Sequence, residues 1–397
     1  MKQVTVVGLG MSVDTLTAEG LRAVEQADVL IGASRLIAQF ETLGKPSYAE
    51  YLPDAVTRVL DGYENGRFCV LVSGDTGFYS ASEGLCSALQ DCSLTLIPGI
   101  SSLSYFFARL RRPWQDAVLV SCHGRRAKLV DSVRRNRLTF ALTGGNMTEL
   151  GEALTKAGFG ELTAHVGENL GLTKECIFTL PVSDLQTFRA GNLAVLLVEN
   201  PEYDNRLRFG IPDEEFIRGD VPMTKAEIRA VTMSKLALFP EAVCCDIGAG
   251  TGSVTVEMAL AAYKGRVYAL DKKEESVRLV TANCQAFHLG NVIPILGSAP
   301  EVLEKLPILD AAFIGGSSDR LGEIFDTLVR NNPLIRIVVN AITLETLHKA
   351  TEAFSAHGFE PDIVQIGITR ANQIVNLHML QANSPVFILS GGGGRNG

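Results

Sequence analysis

A glycine-rich turn is the part of this sequence whose residue types and spacing point most directly to chemistry. Asp246 ends an apolar run, and glycines follow at the alternate positions Gly248, Gly250 and Gly252 before a helical pattern begins. Glycine adopts positive φ and lets a ligand approach the backbone, because it has no Cβ. Asp271 closes the next strand-like run, where it could accept hydrogen bonds from ribose hydroxyls. The pattern predicts a strand, a turn and a helix that together bind a nucleoside-containing cofactor.

The glycine spacing separates two kinds of cofactor. A dinucleotide site has its third glycine later, in G-x-G-x-x-G, whereas here Thr251 and Ser253 flank Gly252. The turn instead resembles motif I of the class I S-adenosylmethionine (SAM) methyltransferases. The alternative is a turn of the same fold that binds no nucleotide. We disfavour it because three glycines lose conformational entropy without a ligand to face them.

The composition limits the class of protein and its partners. A chain of 397 residues is long enough for two or three domains, and 46% hydrophobic and 20% charged residues are typical of an α/β protein. The net charge of −8 argues against nucleic acid as the main partner. No apolar run has the length of a membrane span, and the N-terminus lacks the features of a secretion signal, so we expect no membrane partner.

The positions of the cysteines and histidines indicate whether the chain contains disulfide bonds or a metal site. The eight cysteines include no C-x-x-C pair, which favours reduced thiols and a cytoplasmic location. No group of His, Cys and Asp residues has the spacing of metal ligands, so we expect no metal site and a metal-free mechanism.

Strand-like and helix-like runs alternate along the chain, which predicts parallel or mixed α/β sheets. The strands expected in the first half cover 3–7, 28–31, 68–73, 94–97, 117–121, 138–142, 163–167 and 193–198. Those expected in the second half cover 242–247, 266–271, 292–296, 310–314, 335–340, 362–368 and 374–380, with a final apolar run at 385–389. The second set, seven strands with a late hairpin, is the pattern of a class I methyltransferase.

The division into domains follows from a polar segment rich in proline, glycine and charge, which we interpret as a linker. The RRPW stretch marks a seam within the first half, so that half is expected to have two lobes. The predicted boundaries are 1–205 (lobes about 1–113 and 114–205), a linker over 206–222, a second domain over 223–390 and a glycine-rich tail over 391–397.

Six short motifs occur in order in the first half: VVGLG at 6–10, LVSGDTGFYS at 71–80, IPGISS at 97–102, SCHGR at 121–125, LTGGN at 142–146 and GENLG at 167–171. As an ordered set they resemble the tetrapyrrole methylase family, in which SAM lies in a cleft between two α/β lobes. The resemblance implies SAM contacts from Leu9, Gly74, Asp75, Thr76, Gly77, Ser101 and Ser102. Thr76 stands where members of the family often carry proline, and the two serines are also suited to cap a helix.

The second half resembles the decarboxylating precorrin methylase domain over most of 223–390. Thr224 and Glu227 have the spacing of a capping box, which predicts Thr224 as the N-cap of a helix. The resemblance implies SAM contacts from Thr224, Asp246, Gly248, Gly250, Thr251, Gly252, Asp271, Ser298, Ala299 and Gly315. Ser298 stands where methyltransferases often carry an aspartate that holds the adenine amine.

Taken together, the halves resemble the bifunctional precorrin methyltransferases of cobalamin biosynthesis. The expected fold class is a two-lobed tetrapyrrole methylase fold followed by a class I Rossmann-like methyltransferase fold. The resemblance implies two SAM molecules, one per domain, and methylation of precorrin-6B at C5 and C15 with loss of carbon dioxide from an acetate side chain. It also implies a polycarboxylate tetrapyrrole as the substrate and a homo-oligomeric assembly.

Binding a polycarboxylate requires cations, and nine basic residues against two acidic ones lie between positions 109 and 137. For most of the nine, a solvated helix face is the simpler interpretation. The candidates for substrate binding are Arg109, Arg112, His123, Arg125 and Lys225, among which arginine is best suited to bidentate contact. His123 is explained equally well as an ordinary polar residue after a strand.

Two other functions remain open. The chain could be a SAM-dependent methyltransferase of RNA or of another small molecule, although the acidic balance weighs against RNA. It could also be a sensor or scaffold in which one SAM-binding half is degenerate. The number of SAM molecules bound per chain separates the last function from a bifunctional enzyme.

Overall fold

The computed structural model describes residues 1–122, 127–191, 193–315, 320–374 and 376–393. The chain forms two compact units, and each is built from more than one stretch of sequence. The first unit consists of Met1–Arg125, Asn136–Glu152 and Glu161–Glu202. The second unit consists of Arg126–Arg135, Ala153–Gly160 and Tyr203–Gly397.

Strands are numbered in chain order. In the first half they are β1 Lys2–Gly8, β2 Val29–Gly32, β3 Ser47–Tyr48, β4 Gly66–Val72, β5 Ser93–Ile97, β6 Ala117–Ser121, β7 Leu138–Leu142, β8 Thr163–Glu168, β9 Cys176–Pro181 and β10 Ala194–Glu199. In the second half they are β11 Val243–Ile247, β12 Arg266–Asp271, β13 Val292–Leu296, β14 Ala311–Ile314, β15 Arg336–Ala341, β16 Asp362–Ile366, β17 Thr369–Ile374, β18 Leu377–Ala382 and β19 Val386–Gly391.

The α-helices are numbered in the same way. They are α1 Ala18–Gln26, α2 Ser34–Ile37, α3 Pro53–Asp61, α4 Ser82–Ala88, α5 Ser102–Arg109, α6 Ala127–Arg135, α7 Met147–Lys156, α8 Ala226–Leu236, α9 Ser253–Ala261, α10 Glu274–Ala286, α11 Leu321–Asn331 and α12 Leu344–Ala356. Within the described ranges, no helix combines the length and the apolarity that a membrane crossing needs.

The first unit contains two five-stranded sheets. One is parallel throughout, in the order β3-β2-β4-β1-β5. Its strands β2 and β4 are buried over nearly their whole length, as expected when a parallel sheet is covered on both faces. The other sheet has the order β6-β7-β10-β8-β9, in which only β6 and β7 are parallel. Parallel strand ends bring their following loops to one edge, where a ligand site can form.

The second unit is built on a seven-stranded sheet in the order β13-β12-β11-β14-β15-β19-β16. The first five strands in this order are parallel, and β19 runs antiparallel between β15 and β16. Helix α9, which follows β11, is buried at every position. The glycine turn therefore connects an interior strand of the sheet to a fully buried helix, and it leaves Gly248 exposed and Gly250 half-buried at the edge of the sheet.

Most predicted strands agree with the structure to within two residues at each end, but the one at 374–380 is wrong. Those positions fall across a separate two-stranded hairpin of β17 and β18, in which Ile374 pairs with Leu377. The error arose because the apolar run continues through the tight turn, so that periodicity alone does not reveal the reversal. The seventh strand of the main sheet is β19, at the run predicted as 385–389.

Candidate cofactor sites

The first candidate site lies at the carboxyl edge of the parallel sheet in the first unit. Here Gly10, after β1, and Gly74, after β4, exchange two backbone hydrogen bonds of 3.0 Å each. This pairing joins the loops that follow two adjacent strands. It places the predicted Gly-Asp loop directly over the end of β1.

Asp75 connects this loop to a second one. Its Oδ1 accepts a hydrogen bond of 2.8 Å from the backbone N–H of Gly77, within the same loop. Its Oδ2 accepts one of 3.1 Å from the backbone N–H of Gly99, in the Pro-Gly turn that follows β5. The carboxylate therefore fixes the geometry of two loops that the sequence motifs assigned to one SAM site.

A cavity of about 220 Å³ opens beside these loops, entirely within the first unit. Three of the predicted SAM contacts line it, namely Gly74, Asp75 and Ser102. The other lining residues described are Met11, Arg35, Ser73, Phe78, Leu142, Thr143, Gly144, Asn169, Leu170, Leu172, Leu193, Ala194 and Val195. An apolar pocket with a few polar groups is the usual form of a small-molecule site.

The remaining predicted contacts of the first unit lie around the cavity or beneath it. Ser101 is the N-cap of α5, and its side chain accepts a hydrogen bond of 3.1 Å from the backbone N–H of Ser104, which confirms the capping role. Thr76 and Gly77 belong to the same loop as Asp75 but are not among the residues lining the cavity. The side chain of Leu9 is only 1% exposed and packs in the core, so only its backbone is available to a ligand.

The second candidate site is the glycine turn after β11. The backbone N–H of Gly250 donates a hydrogen bond of 2.9 Å to Oδ2 of Asp271, and the N–H of Lys273 donates one of 3.0 Å to Oδ1. Gly315, after β14, donates its N–H to the carbonyl of Ile247 at 3.0 Å. The loops after three adjacent parallel strands therefore meet at one edge of the sheet.

Two glycines of this turn face protein atoms rather than open space. A Cβ on Gly250 would lie 2.9 Å from the carbonyl oxygen of Pro222, and one on Gly252 would lie 3.0 Å from Val280. Both residues also have positive φ, of 57° and 80°. The entropy cost of three glycines is therefore weaker support for a bound ligand, because close packing within the chain itself accounts for two of them.

The atoms that pack on Gly250 belong to a segment predicted to be a linker. We call residues 210–222 the strap. Ile211 and Phe216, which are 1% and 5% exposed, lie in the core of the second unit. Asn283 on α10 holds the strap by accepting from the N–H of Ile217 at 2.7 Å and donating to its carbonyl at 3.0 Å. Asn283 also donates to the carbonyl of Thr251 at 2.8 Å, so that one side chain joins the strap to the glycine turn.

A buried charge network anchors the start of the strap. Arg229, on α8, is fully buried and contacts Asp213 at 3.0 Å and Glu257 at 2.9 Å. Glu257 in turn accepts hydrogen bonds of 3.0 Å from the backbone N–H groups of Gly210 and Ile211. A linker prediction based on polar composition missed this, because the composition does not show that Asp213 is buried and paired with Arg229.

The same network explains why the predicted capping box is wrong. The N-cap of α8 is Lys225, and its side chain makes no capping hydrogen bond. The carbonyl of Thr224 instead accepts a hydrogen bond from the guanidinium of Arg229, and Glu227 forms an ion pair of 2.8 Å with Arg370. Arginines therefore bind the carbonyl of Thr224 and the carboxylate of Glu227, and the Glu227 side chain does not complete a box.

Asp246 supplies a buried negative group beneath the turn. Its Oδ2 accepts a hydrogen bond of 2.5 Å from Thr255, whereas its Oδ1 has no partner among the described residues. The pKa of Asp246 is raised to about 7, mainly by burial and also by the nearby charge of Asp271, whereas the hydrogen bond from Thr255 lowers it. The Oγ1 of Thr251 is likewise buried without a described partner. An acceptor of this kind fits a cofactor that carries positive charge.

Comparison with known proteins gives both units a family. Residues 3–186 match the model of tetrapyrrole (corrin/porphyrin) methylases, and residues 215–391 match the model of the precorrin methyltransferase domain. A probable cobalt-precorrin-6B C(15)-methyltransferase (decarboxylating) of Sulfurisphaera tokodaii is 43% identical over 188 residues, which is 46% of this chain and 96% of that protein. The chain belongs to the precorrin methyltransferase family. Its expected fold class, a tetrapyrrole methylase domain followed by a methyltransferase domain, is confirmed.

Two further proteins are similar to about half of the chain. A protein of the same description from Pyrobaculum calidifontis is 41% identical over 184 residues, covering 46% of this chain and 94% of that protein. A crystal structure described as precorrin-6y C5,15-methyltransferase of Geobacter metallireducens is 36% identical, with a TM-score of 0.44 over 46% of this chain and 97% of that one. As a precorrin methyltransferase, the chain uses SAM as its cofactor.

Three of the predicted substrate-binding residues are already paired with protein carboxylates. Arg109 donates from Nε to Glu175 at 2.6 Å, and Nη1 of Arg112 lies 2.6 Å from Glu199. The ammonium of Lys225 lies 3.2 Å from Asp213. His123 and Arg125 lie outside the described residues. Of the remaining predicted SAM contacts, Ser298 and Gly315 are exposed and Ala299 is half-buried.

Several site residues were not predicted, although some had a signal in the sequence. Thr143 and Gly144 belong to the LTGGN motif, and Asn169 belongs to GENLG, so the motifs already contained them. Arg35 and Asn283 had no such signal, because a single arginine or asparagine in a helical pattern is usually solvated. Within the described ranges, no group of three His, Cys, Asp or Glu residues is placed so that it could hold a metal ion. That the protein binds no metal remains a prediction.

Proposed function

We propose that the chain transfers two methyl groups from SAM to precorrin-6B, at C5 and at C15, and removes carbon dioxide from an acetate side chain. The observation that carries this proposal is that each compact unit has its own glycine turn with an acidic residue bonded across it. The relatives in Sulfurisphaera and Pyrobaculum are named for methylation at C(15) with decarboxylation, and they span 46% of the chain. We assign that reaction to the second unit and methylation at C5 to the first.

SAM, when bound, supplies a methyl group already activated as a sulfonium. The task left to the protein is to hold a ring carbon in line with that methyl, a gain from proximity and orientation. In the second unit, Asp271 would accept from the ribose hydroxyls, and Asp246 would supply negative charge below the cofactor. In the first unit, Asp75 would keep both loops in place while Gly74 and Ser102 contact the cofactor. An electron-rich carbon of the substrate is the nucleophile, so no protein nucleophile is needed.

The substrate we propose is a tetrapyrrole with several carboxylates. Lys225 supports this assignment because an ammonium has three donors and Asp213 occupies one, which leaves two for a ligand. Arg109 is less suited, since Glu175 also accepts from Tyr105 and from the N–H of Gly171, at 2.8 and 2.7 Å. Releasing Arg109 to a substrate would break that cluster.

The test is to incubate the full chain with precorrin-6B and SAM and to follow product mass. The wild-type product is expected to gain two methyl groups and to lose carbon dioxide. Asp75→Ala should remove one methyl and Asp271→Ala the other, because each weakens one SAM site. Calorimetry should give two SAM molecules per wild-type chain. Binding of one SAM per chain, or a product with no added methyl, would overturn the proposal in favour of a degenerate half or a different substrate.

We also propose that the chain forms a homo-oligomer in the cytoplasm. Leu377 and Leu380 on the hairpin strand β18 are 73% and 75% exposed, and exposed apolar side chains on a two-stranded hairpin favour burial against another chain. All eight cysteines are unpaired, which supports a reducing compartment. Light scattering of the purified chain and cell fractionation test these two points. A monomer would contradict the first, and recovery outside the cytoplasm would contradict the second.

A further inference from the structure

The cavity of the first unit contains charge of both signs. Among the described residues that line it, the charged ones are Asp75 and Arg35. Asp75 is occupied, because its two oxygens accept from the N–H groups of Gly77 and Gly99. The Asp75 carboxylate in the cavity wall therefore stabilises the two loops that contain Gly77 and Gly99. A ligand in the cavity therefore meets a carboxylate that is already bonded and an arginine that is not.

Arg35 has no carboxylate partner among the residues that the structure describes. Arg35 is not one of the arginines predicted to bind the substrate. Of those, Arg109 pairs with Glu175 and Arg112 with Glu199. Arg35 is exposed, and the protein atoms around its guanidinium lower the pKa of that group from the ordinary value. A guanidinium that lines a cavity and has no described carboxylate partner can bind an anionic ligand there.

The fold gives Arg35 a fixed position at the ligand edge. It lies on α2, directly after β2, and β2 pairs with β4 so that Gly32 is opposite Leu71. The strand end at Leu71 leads into Gly74, so Arg35 and the Gly-Asp loop share the carboxyl edge of one parallel sheet. Ligands of open α/β sheets bind at this edge.

We propose that Arg35 binds a carboxylate in the cavity of the first unit. The carboxylate comes either from the methionyl part of SAM or from a side chain of the tetrapyrrole, and a guanidinium fork can bind either one with two parallel hydrogen bonds. Arg35 is thus a binding residue for the methylation that we assign to this unit, and this inference rests on that proposed function. The inference concerns Arg35 alone, and the proposed methylation does not depend on Arg35 having this role.

Calorimetry and kinetics on the full chain test the proposal with two analogues of the cofactor. S-adenosylhomocysteine keeps the methionyl carboxylate, whereas 5′-methylthioadenosine lacks it. If Arg35 binds that carboxylate, Arg35→Gln should weaken S-adenosylhomocysteine at one of two sites by roughly tenfold to a hundredfold, the effect of a charge-assisted hydrogen bond, and leave 5′-methylthioadenosine unchanged. If Arg35 binds the substrate, S-adenosylhomocysteine affinity should stay the same and the KM for precorrin-6B in the first methylation should rise by a similar factor.

Controls separate this inference from the function on which it rests. Arg35→Lys should recover part of the loss, because it keeps the charge without the fork. Arg22→Gln, on the exposed surface of α1, should change neither readout. If Arg35→Gln leaves both the affinity and the KM at wild-type values while two methyl groups are still added, the role of Arg35 is refuted and the function stands. If the wild-type chain itself binds one SAM or adds no methyl, the function has failed.

Discussion

In the first unit, the acid of the site lies within the turn and reaches out to the next loop, since Asp75 accepts from the N–H of Gly99. In the second unit, the acid comes from the next strand and reaches back, since Asp271 accepts from the N–H of Gly250. Both bonds join two loops at the edge of a parallel sheet. Both units therefore contain a carboxylate that accepts from a backbone N–H of a neighbouring loop. The carboxylate precedes its partner glycine in the first unit and follows it in the second.

The two sites differ more in what surrounds the turn. The turn of the first unit opens onto a cavity, whereas Gly250 in the second unit packs against Pro222 of the strap. The first site therefore depends on loops that are bonded to each other, and the second depends on a segment of chain that precedes its own sheet. The predictions below test that difference, beginning with the strap.

The largest effect is expected from removing the strap. A fragment of residues 223–393 should be far less stable than a fragment of residues 203–393, and only the longer fragment should bind SAM. Neither fragment contains the stretches 126–135 and 153–160 of the second unit, so residues 203–222 are the difference between them. The shorter fragment leaves the fully buried Arg229 and Glu257 without Asp213 and without the N–H groups of the strap. Breaking a buried ion pair in this way costs about 3–5 kcal/mol, a large part of an ordinary protein's stability. Circular dichroism with thermal unfolding compares the two fragments. Equal melting temperatures would show that the strap is not needed.

A smaller effect should follow from loosening the strap at one point. Asn283→Ala removes three hydrogen bonds that join Ile217 to Thr251, and it should lower the free energy of unfolding of the second unit by about 2–3 kcal/mol. It should also weaken SAM binding at one of two sites. Asn372→Ala is the matched control, because Asn372 is exposed on the hairpin and bonds only to Gln381 in the described structure. Chemical denaturation and calorimetry measure both quantities, and equal effects of the two variants would contradict the role of Asn283.

The corresponding change in the first unit should act on binding rather than on folding. Asp75→Asn replaces one of the two acceptor oxygens by an NH₂ group, so that Gly77 or Gly99 loses its partner. We expect SAM affinity at one site to fall about tenfold, with less than about 1 kcal/mol lost in unfolding free energy. Asp91→Asn, at an exposed turn, serves as the control. A change in both SAM sites would show that the two units are not independent in binding.

The smallest effect is a dependence on pH that only the second site should show. The pKa of Asp246 is raised from 3.8 to about 7 by burial, so the folded chain binds a proton that the unfolded chain has released between these values. Stability of the second unit should therefore fall as the pH rises from 3.8 to about 7. SAM carries positive charge and should bind better when Asp246 is ionised, by about tenfold at pH 8 relative to pH 6. Asp246→Asn should flatten both curves, and an unchanged profile in this variant would refute the assignment.

The sequence was informative wherever a ligand site coincided with a strand end. The glycine turn, Asp271 and the Gly-Asp loop were predictable, because a parallel strand, a tight turn and a helix leave a strong pattern of apolar residues and glycines. The strap was not predictable, because its polar composition is the same whether Asp213 faces solvent or pairs with the buried Arg229. The hairpin of β17 and β18 was missed for a related reason, since its apolar residues are exposed and carry no sign of burial.

The strap also has a consequence for how the chain is made. The contacts that hold it join residues far apart in sequence, since Gly210 and Glu257 differ by 47 positions and Ile217 and Asn283 by 66. During synthesis from the N-terminus, the strap leaves the ribosome well before the helices that hold it. Until α10 has been synthesised, Ile211 and Phe216 of the strap are not yet buried against it. The cofactor turn of the second unit is therefore completed late in translation, and a chaperone that shields short apolar segments would have its natural target here.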